Sequence, residues 1–202
     1  MNPPKAVVFD LGKVLLEFDY QRAADVLGPH SSFTASELKQ VIDQTPLLHR
    51  YETGLMTTPE FVAAVRTTTG YHGPEELFHD TFGDIFWEIP EMIQLQQQLR
   101  KRGIPTYIFS NTNELAVRKI RSRFPFFHDF DGYIFSYEVS SMKPAPRIYE
   151  ALEQLTGLNG ADLIYLDDRR ENIDAGAARG WRTVLHSDPV VTVPHLTKLF
   201  DL

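Results

Sequence analysis

The chain has 202 residues, 43% hydrophobic and 12% aromatic, which is enough to bury a full core in one or two domains and excludes a disordered segment or a small disulfide scaffold. Its formal charge of −7 gives no overall basic field for a phosphate backbone, so no nucleic acid is expected as a partner. With no cysteine, disulfides, thiolate nucleophiles and zinc–thiolate sites are all removed.

In chain order, the first element is the apolar run "AVVFD" at 6–10, which reads as a strand buried on both faces. From about Asp19 to Glu88 the pattern changes. No convincing buried strand stands there, but "YQRAADVL", "TASELKQVIDQT", "TTPEFVAAVRTTT" and "PEELFHDTFGDIFW" read as helices, with Thr34 or Ser36 and Thr58 as N-caps and Pro59 in a first turn. Such a block is far longer than the roughly 2 to 6 residues that usually connect elements of an α/β sheet, which marks it as a functional insertion. Four further apolar runs follow: "TYIFSN" (106–111), "GYIFS" (132–136), "LIYLDD" (163–168) and "RTVLH" (182–186). Helical segments at 113–124, 146–157 and 171–180 lie between them, the last ending on Gly180. This β-α-β-α-β-α-β order predicts a doubly wound, parallel, Rossmann-like α/β core. No stretch approaches the roughly 20 apolar residues of a membrane span, and "MNPPKAVVFDLGK" lacks a signal-peptide layout. A soluble, cytoplasmic protein without a membrane partner is expected.

Ligands of open α/β sheets bind beyond the carboxyl ends of the strands. Those ends carry Asp10, Ser110 with Asn111, and Asp167 with Asp168, while Lys143 follows the strand at 132–136. Taken singly, each has a plain explanation: Asp10 as a turn residue, Ser110 as a helix cap, Lys143 as a solvated lysine. Brought together, they suit a phosphate ester with a divalent cation. Carboxylates from separate strands repel unless a cation neutralises them, and Mg²⁺ is typically held by one or two carboxylates with phosphate and water. A phosphate needs donors, which Ser110, the N–H groups after Asn111 and Lys143 supply. Asp10 is then the candidate nucleophile, since a carboxylate forms an aspartyl-phosphate that water hydrolyses. The histidines have no metal-ligand spacing, and "DDRRENID" lacks the central glycine of a calcium loop.

With "VVFDLG", "FSNT", "MKPAPRIY" and "YLDDRRENID" in this order, the sequence resembles the haloacid dehalogenase (HAD) superfamily over nearly its whole length. The "DLG" and "SNT" forms, with "HRYETGLMTTPEF" in the insertion, resemble the branch of bacterial α-D-glucose-1-phosphatase and the phosphatase domain of epoxide hydrolases. The resemblance implies a HAD-like α/β core over 1–16 and 90–202 with an inserted helical cap over 17–89. It implies a Mg²⁺-dependent phosphatase acting on a small phosphorylated metabolite, such as the sugar phosphate glucose 1-phosphate, as a monomer or homodimer. Asp10 matches the nucleophile and metal ligand, Gly12 a ligand through its carbonyl, Asp168 a direct ligand, and Asp167 a ligand through water or an outer contact. Ser110 and Lys143 match phosphate contacts, Asn111 a substrate-facing residue, and Asn172 an amide that buttresses the acidic loop.

Gly12 departs from the family pattern, in which an aspartate at this position protonates the leaving oxygen and activates water. A general acid–base group is worth roughly 10² to 10⁴ in rate. The insertion offers His49, Tyr51 and Glu52 as possible substitutes, by position only. Lys13 also departs from the asparagine common after "DLG". Two other readings follow: a catalytically impaired relative kept for binding or regulation, and a metal-independent haloacid dehalogenase. The Asp167–Asp168 pair argues against the second, because uncompensated acids repel both Asp10 and a carboxylate substrate.

Overall fold

Every residue of "AVVF" is apolar, and as the central strand of a sheet covered on both sides each finds a core. Val7 and Phe9 join one apolar cluster, Ala6 and Val8 a second, as the two-residue period of a strand requires. The structure, a computed structural model, describes residues 3–43 and 45–202. In chain order its elements are β1 (Ala6–Phe9), β2 (Leu16–Phe18), α1 (Tyr20–Leu27), α2 (Ala35–Ile42), α3 (Pro46–Glu52), α4 (Thr58–Thr69), α5 (Glu75–Gly83) and β3 (Phe86–Glu88). They continue with α6 (Pro90–Lys101), β4 (Thr106–Ser110), α7 (Glu114–Arg123), β5 (Gly132–Phe135), α8 (Ser136–Val139) and α9 (Pro146–Thr156). The last are β6 (Leu163–Asp167), α10 (Arg170–Ala178), β7 (Arg182–Leu185) and α11 (Pro189–Phe200).

The main sheet is parallel, in the order β5-β4-β1-β6-β7. Residues from α6, α7 and α11 pack with Val7, Phe9, Ile108, Ile164 and Leu166 on one face, while α9 and α10 cover Val8, Phe109 and Tyr165 on the other. The doubly wound α/β core expected from the sequence is therefore the architecture found. Because β1 lies between β4 and β6, the chain leaves it in both directions across the sheet. The carboxyl end of β1 is thus the switch point where a ligand crevice opens.

Helices α1 to α5 occupy the insertion, which is framed by a two-stranded antiparallel ribbon. In it β2 pairs with β3, Leu16 opposite Glu88 and Phe18 opposite Phe86. The sequence predicts no buried strand between Asp19 and Glu88, and the strand found there, β3, is a short one at the surface. Each ribbon strand has only three residues, and β3 is mostly exposed, so neither carries the apolar run that marks a buried strand. The helix expected through "FGDIFW" stops at Gly83, and Phe86 and Trp87 belong to β3. A Cβ at Gly83 would lie 2.7 Å from the Leu115 carbonyl oxygen, so this glycine lets α5 approach α7 closely. Thr34 caps α2 in a capping box with Glu37, whereas α4 is capped by Thr57 with Glu60 and not by Thr58. No helix among the described residues is long and apolar enough to cross a membrane.

Candidate active site

Strand pairing delivers Asp10 to the crevice with its N–H donating to the Leu166 carbonyl at 2.9 Å. Its Oδ1 accepts from the Leu11 N–H at 2.7 Å and lies 2.9 Å from the Lys143 Nζ. Both partners sit on Oδ1, so Oδ2 is the oxygen that no described residue engages. The side chain of Lys143 is 1% exposed, and its Nζ also donates to the Phe109 carbonyl at 2.8 Å and to Asp167 Oδ2 at 2.7 Å. The ammonium thus bridges two carboxylates from neighbouring strands. Asn111 holds the lysine's backbone on both sides: its Nδ2 donates to the Lys143 carbonyl at 3.0 Å and its Oδ1 accepts the Lys143 N–H at 2.8 Å.

Burial opposes every charge in this cluster, and the neighbours decide which charges survive. For Lys143, burial pulls the pKa down, but Asp10 and Asp167 together outweigh it and hold the ammonium above its ordinary value. Burial pushes Asp167 up, yet Lys143, the Tyr165 hydroxyl and the Arg169 N–H hold it below the ordinary carboxylate range. Asn172 Nδ2 adds contacts to both Asp167 oxygens, at 3.0 and 3.1 Å. Asp10 goes the other way: burial dominates, and repulsion from Asp167 and Asp168 adds to it, so one lysine does not offset the total and its pKa is raised. Asp168 is raised by burial and by Asp167. Asp10, Asp167 and Asp168 each offer an oxygen, and these lie within 4.8 Å of one another. A hard divalent cation fits this set of oxygen donors, which carries more negative charge than Lys143 neutralises.

Above the strand ends lies a cavity of about 520 Å³. Asp10, Gly12, Lys143 and Asp168 line it from the sheet, and Tyr20, Thr45, Leu48, His49 and Glu52 line it from the helical block. Of the residues expected at the site, Asn111 and Asn172 also border this space, but Ser110 does not. Ser110 borders an adjoining cavity of about 50 Å³ that is also lined by Gly12, Phe18, Asn111 and Glu52. Tyr51 lines neither space. It is 2% exposed and stacks on Phe61 at 4.4 Å, and its hydroxyl bonds Thr58 at 2.7 Å while accepting the Leu115 N–H at 3.3 Å. The cap contact expected of Tyr51 is corrected accordingly: one residue is about a quarter-turn of helix, and it separates the cavity-facing Glu52 from a tyrosine docked on α7. His49 borders the cavity but is exposed.

The geometry of Glu52 is fixed from the core side. Ser136 Oγ donates to its carbonyl at 2.6 Å, and the Asn113 side chain faces its carboxyl and favours its charged form. Gly54, two residues on, has φ +71° and passes so close to Tyr137 that a Cβ would lie 2.2 Å from that residue's carbonyl oxygen. Burial pushes the Glu52 carboxyl up to about 7 despite Asn113. Lys13 adopts φ +61°, pairs with Glu17 and lies 5.0 Å from the centre of the Phe18 ring. Sequence reasoning missed Phe18, Asn113 and Ser136. Asn113 had a signal, as a polar residue just before a helix, and it caps α7 through the Ala116 N–H at 3.0 Å.

A D-ribitol-5-phosphate phosphatase of Bacteroides thetaiotaomicron is 23% identical over 186 residues, covering 89% of this chain and 90% of that protein. A sesquiterpene phosphatase of Aspergillus oryzae is 24% identical over 197 residues, covering 96% of each. Among solved structures, a HAD family enzyme from B. thetaiotaomicron superposes with a TM-score of 0.84 at 22% identity, covering 96% of this chain and 98% of that one. Its complex with magnesium and inorganic phosphate gives a TM-score of 0.81 at 22% identity, covering 91% of this chain and 94% of that one. At such identity these structures show a shared fold. The family model for haloacid dehalogenase-like hydrolases matches residues 4–180, and the chain belongs to that family.

Proposed function

We propose that this chain is a Mg²⁺-dependent phosphatase of small phosphate monoesters, in which Asp10 is the nucleophile and becomes an aspartyl-phosphate. The single observation that carries the reading is the convergence of Asp10, Lys143, Asp167 and Asp168 at the switch point of the sheet. Asp10 and Asp168, with the Gly12 carbonyl, would hold the cation and Asp167 would stand behind them; when bound, the cation supplies charge neutralisation for an incoming phosphate. Lys143 fixes Asp10 through Oδ1, which leaves Oδ2 to attack phosphorus. Asn111 sets the position of Lys143, Asn172 that of Asp167. Ser110 and the N–H groups entering α7 provide donors for the phosphate oxygens.

Residues 17–89 act as a cap over this core, and the cavity beneath them selects the ester. Its wall mixes Thr45, His49 and Glu52 with Leu48 and Phe18, a lining suited to a hydroxylated sugar phosphate. Glucose 1-phosphate is the first candidate, because the "DLG" and "SNT" forms resemble that branch. The relatives' names, a D-ribitol-5-phosphate phosphatase and a sesquiterpene phosphatase, support a phosphate ester and leave the alcohol to be identified. The test is a panel of phosphate esters assayed with Mg²⁺ and with chelator. Turnover that requires Mg²⁺ and vanishes in Asp10→Asn is expected. Full activity in chelator, or in Asp10→Asn, overturns the proposal.

A further inference from the structure

Position 12 has no proton to give, and Phe18 packs against it. A Cβ built on Gly12 would lie 3.0 Å from Phe18 Cε1 and 3.4 Å from Cδ1, so a side chain there would have to push the ring aside by a few tenths of an ångström. The proton must come from elsewhere on the cavity wall. Asp10, Asp168 and Lys143 belong to the charge cluster, and Arg169 stays protonated. The Tyr20 phenol is held well above its ordinary range by burial, so it cannot serve as a base near neutral pH. His49 is in water, one turn away. Lys13, on the same wall, is paired with Glu17, which leaves Glu52. Glu52 borders both the large cavity with Asp10 and the small one with Ser110 and Gly12.

We infer that Glu52 is a catalytic residue, the general acid and base that does from the helical block what an aspartate at position 12 would do from the strand end. The inference rests on the phosphatase reading above. In the first step Asp10 Oδ2 bonds to phosphorus, the bond from phosphorus to the ester oxygen breaks, and the Glu52 carboxyl gives its proton to that oxygen, releasing the alcohol. In the second, the Glu52 carboxylate takes a proton from water as the water oxygen bonds to phosphorus. The Asp10–phosphorus bond breaks, and inorganic phosphate leaves with both carboxyl groups restored.

Three contacts hold the group in place: Ser136 on its carbonyl, Asn113 on its carboxyl, and the tight left-handed turn of Gly54 against Tyr137. Asn113 belongs to the loop that follows Ser110 at the end of β4, so the carboxyl lies beside the segment that would receive the phosphate. Its protonation fits the task, since a carboxyl raised to about 7 is populated in both forms near neutral pH.

The test compares Glu52→Gln with wild type on two esters: the best sugar phosphate of the panel, whose alkoxide needs a proton to leave, and p-nitrophenyl phosphate, whose phenolate does not. For Glu52→Gln, kcat/KM on the sugar phosphate is expected to fall about 10²- to 10⁴-fold. On p-nitrophenyl phosphate it should change by less than about 10-fold, with a burst of nitrophenolate near one per active site because the second step still lacks its base. An equal loss on both esters, no loss on either, or no burst overturns the role of Glu52 while leaving the phosphatase reading intact. Failure of wild type to hydrolyse either ester with Mg²⁺ overturns both. A thermal unfolding midpoint no lower than that of wild type, with Glu52→Asp recovering part of the sugar-phosphate activity, separates lost chemistry from a lost fold.

Discussion

Phe18 fills the space beside Gly12: its Cε1 lies 3.0 Å from where a Cβ on that glycine would be. The glycine is therefore a packed position and not a vacancy. Gly12→Asp must displace the ring by a few tenths of an ångström and should cost about 1–3 kcal/mol by overpacking, read as a lowered midpoint in urea. In combination with Glu52→Gln, the new aspartate should recover part of the sugar-phosphate activity. If the double variant stays as slow as Glu52→Gln alone, position 12 can no longer reach the leaving oxygen.

Lys143 is the cation between two buried carboxylates, and its loss leaves both unpaired. Lys143→Met should destabilise the protein by about 3–5 kcal/mol, the usual cost of removing one partner from a buried ion pair. Equilibrium unfolding in urea measures it. A loss under about 1 kcal/mol would mean that the lysine is not the main counter-charge for Asp10 and Asp167.

Charge surplus in the acidic cluster predicts linkage to Mg²⁺. At a concentration a hundredfold above its dissociation constant, the ion should stabilise the fold by about 2.7 kcal/mol, and chelator should reverse the shift. Asp168→Asn should abolish most of this effect. A thermal shift equal in wild type and Asp168→Asn would place the cation elsewhere.

Glu52 gives a pH signature with a definite sign. Its folded pKa of about 7 stands above the ordinary 4.5, so the folded protein binds its proton more tightly than the unfolded chain. That stabilisation is fully present below about 4.5 and is lost as pH rises through about 7, worth up to about 3 kcal/mol. Asp43 adds to the shift, while the Asn113 amide and Arg169 oppose it; His49, Lys13 and Tyr20 face the same cavity. Compared with Glu52→Gln, wild type should therefore lose stability between pH 5 and pH 8, and its kcat/KM on sugar phosphates should decline above pH 7. Parallel stability curves for the two proteins across this range would contradict the assignment.

The central strands of the main sheet were legible because burial on both faces writes itself as unbroken apolar runs, as in "AVVF" and "LIYL". The half-exposed edge strand β7, in contrast, was legible by its β-branched and apolar residues and its place after a helix. The polar groups at their ends were legible because strand ends are where a doubly wound sheet binds ligands. Much less could be read where structure depends on one side chain meeting another across the chain. The ribbon of β2 and β3 rests on three-residue strands, which leave no periodicity to detect. Thr58 looked like the cap of α4, but Thr57 takes that task and Thr58 bonds Tyr51 and Glu114 instead. Phe18 could not be placed against Gly12 from sequence, since six residues and a turn through the left-handed Lys13 bring them together. Tyr51 and Glu52 are neighbours in sequence with opposite destinations, and only the direction of α3 distinguishes them.

The orientation of that short helix has a consequence for how this enzyme could change over time. Its N-cap Thr45 and, in its first turn, Leu48 line the cavity, whereas its last residue is fastened to the core through Ser136. On the roles proposed above, selectivity and proton transfer stand at opposite ends of one helix of seven residues. On those roles, substitutions at the cavity-lining Thr45 and Leu48 retune which alcohol is accepted while the far end stays in register with Asp10, giving the scaffold a way to explore new esters without rebuilding its chemistry.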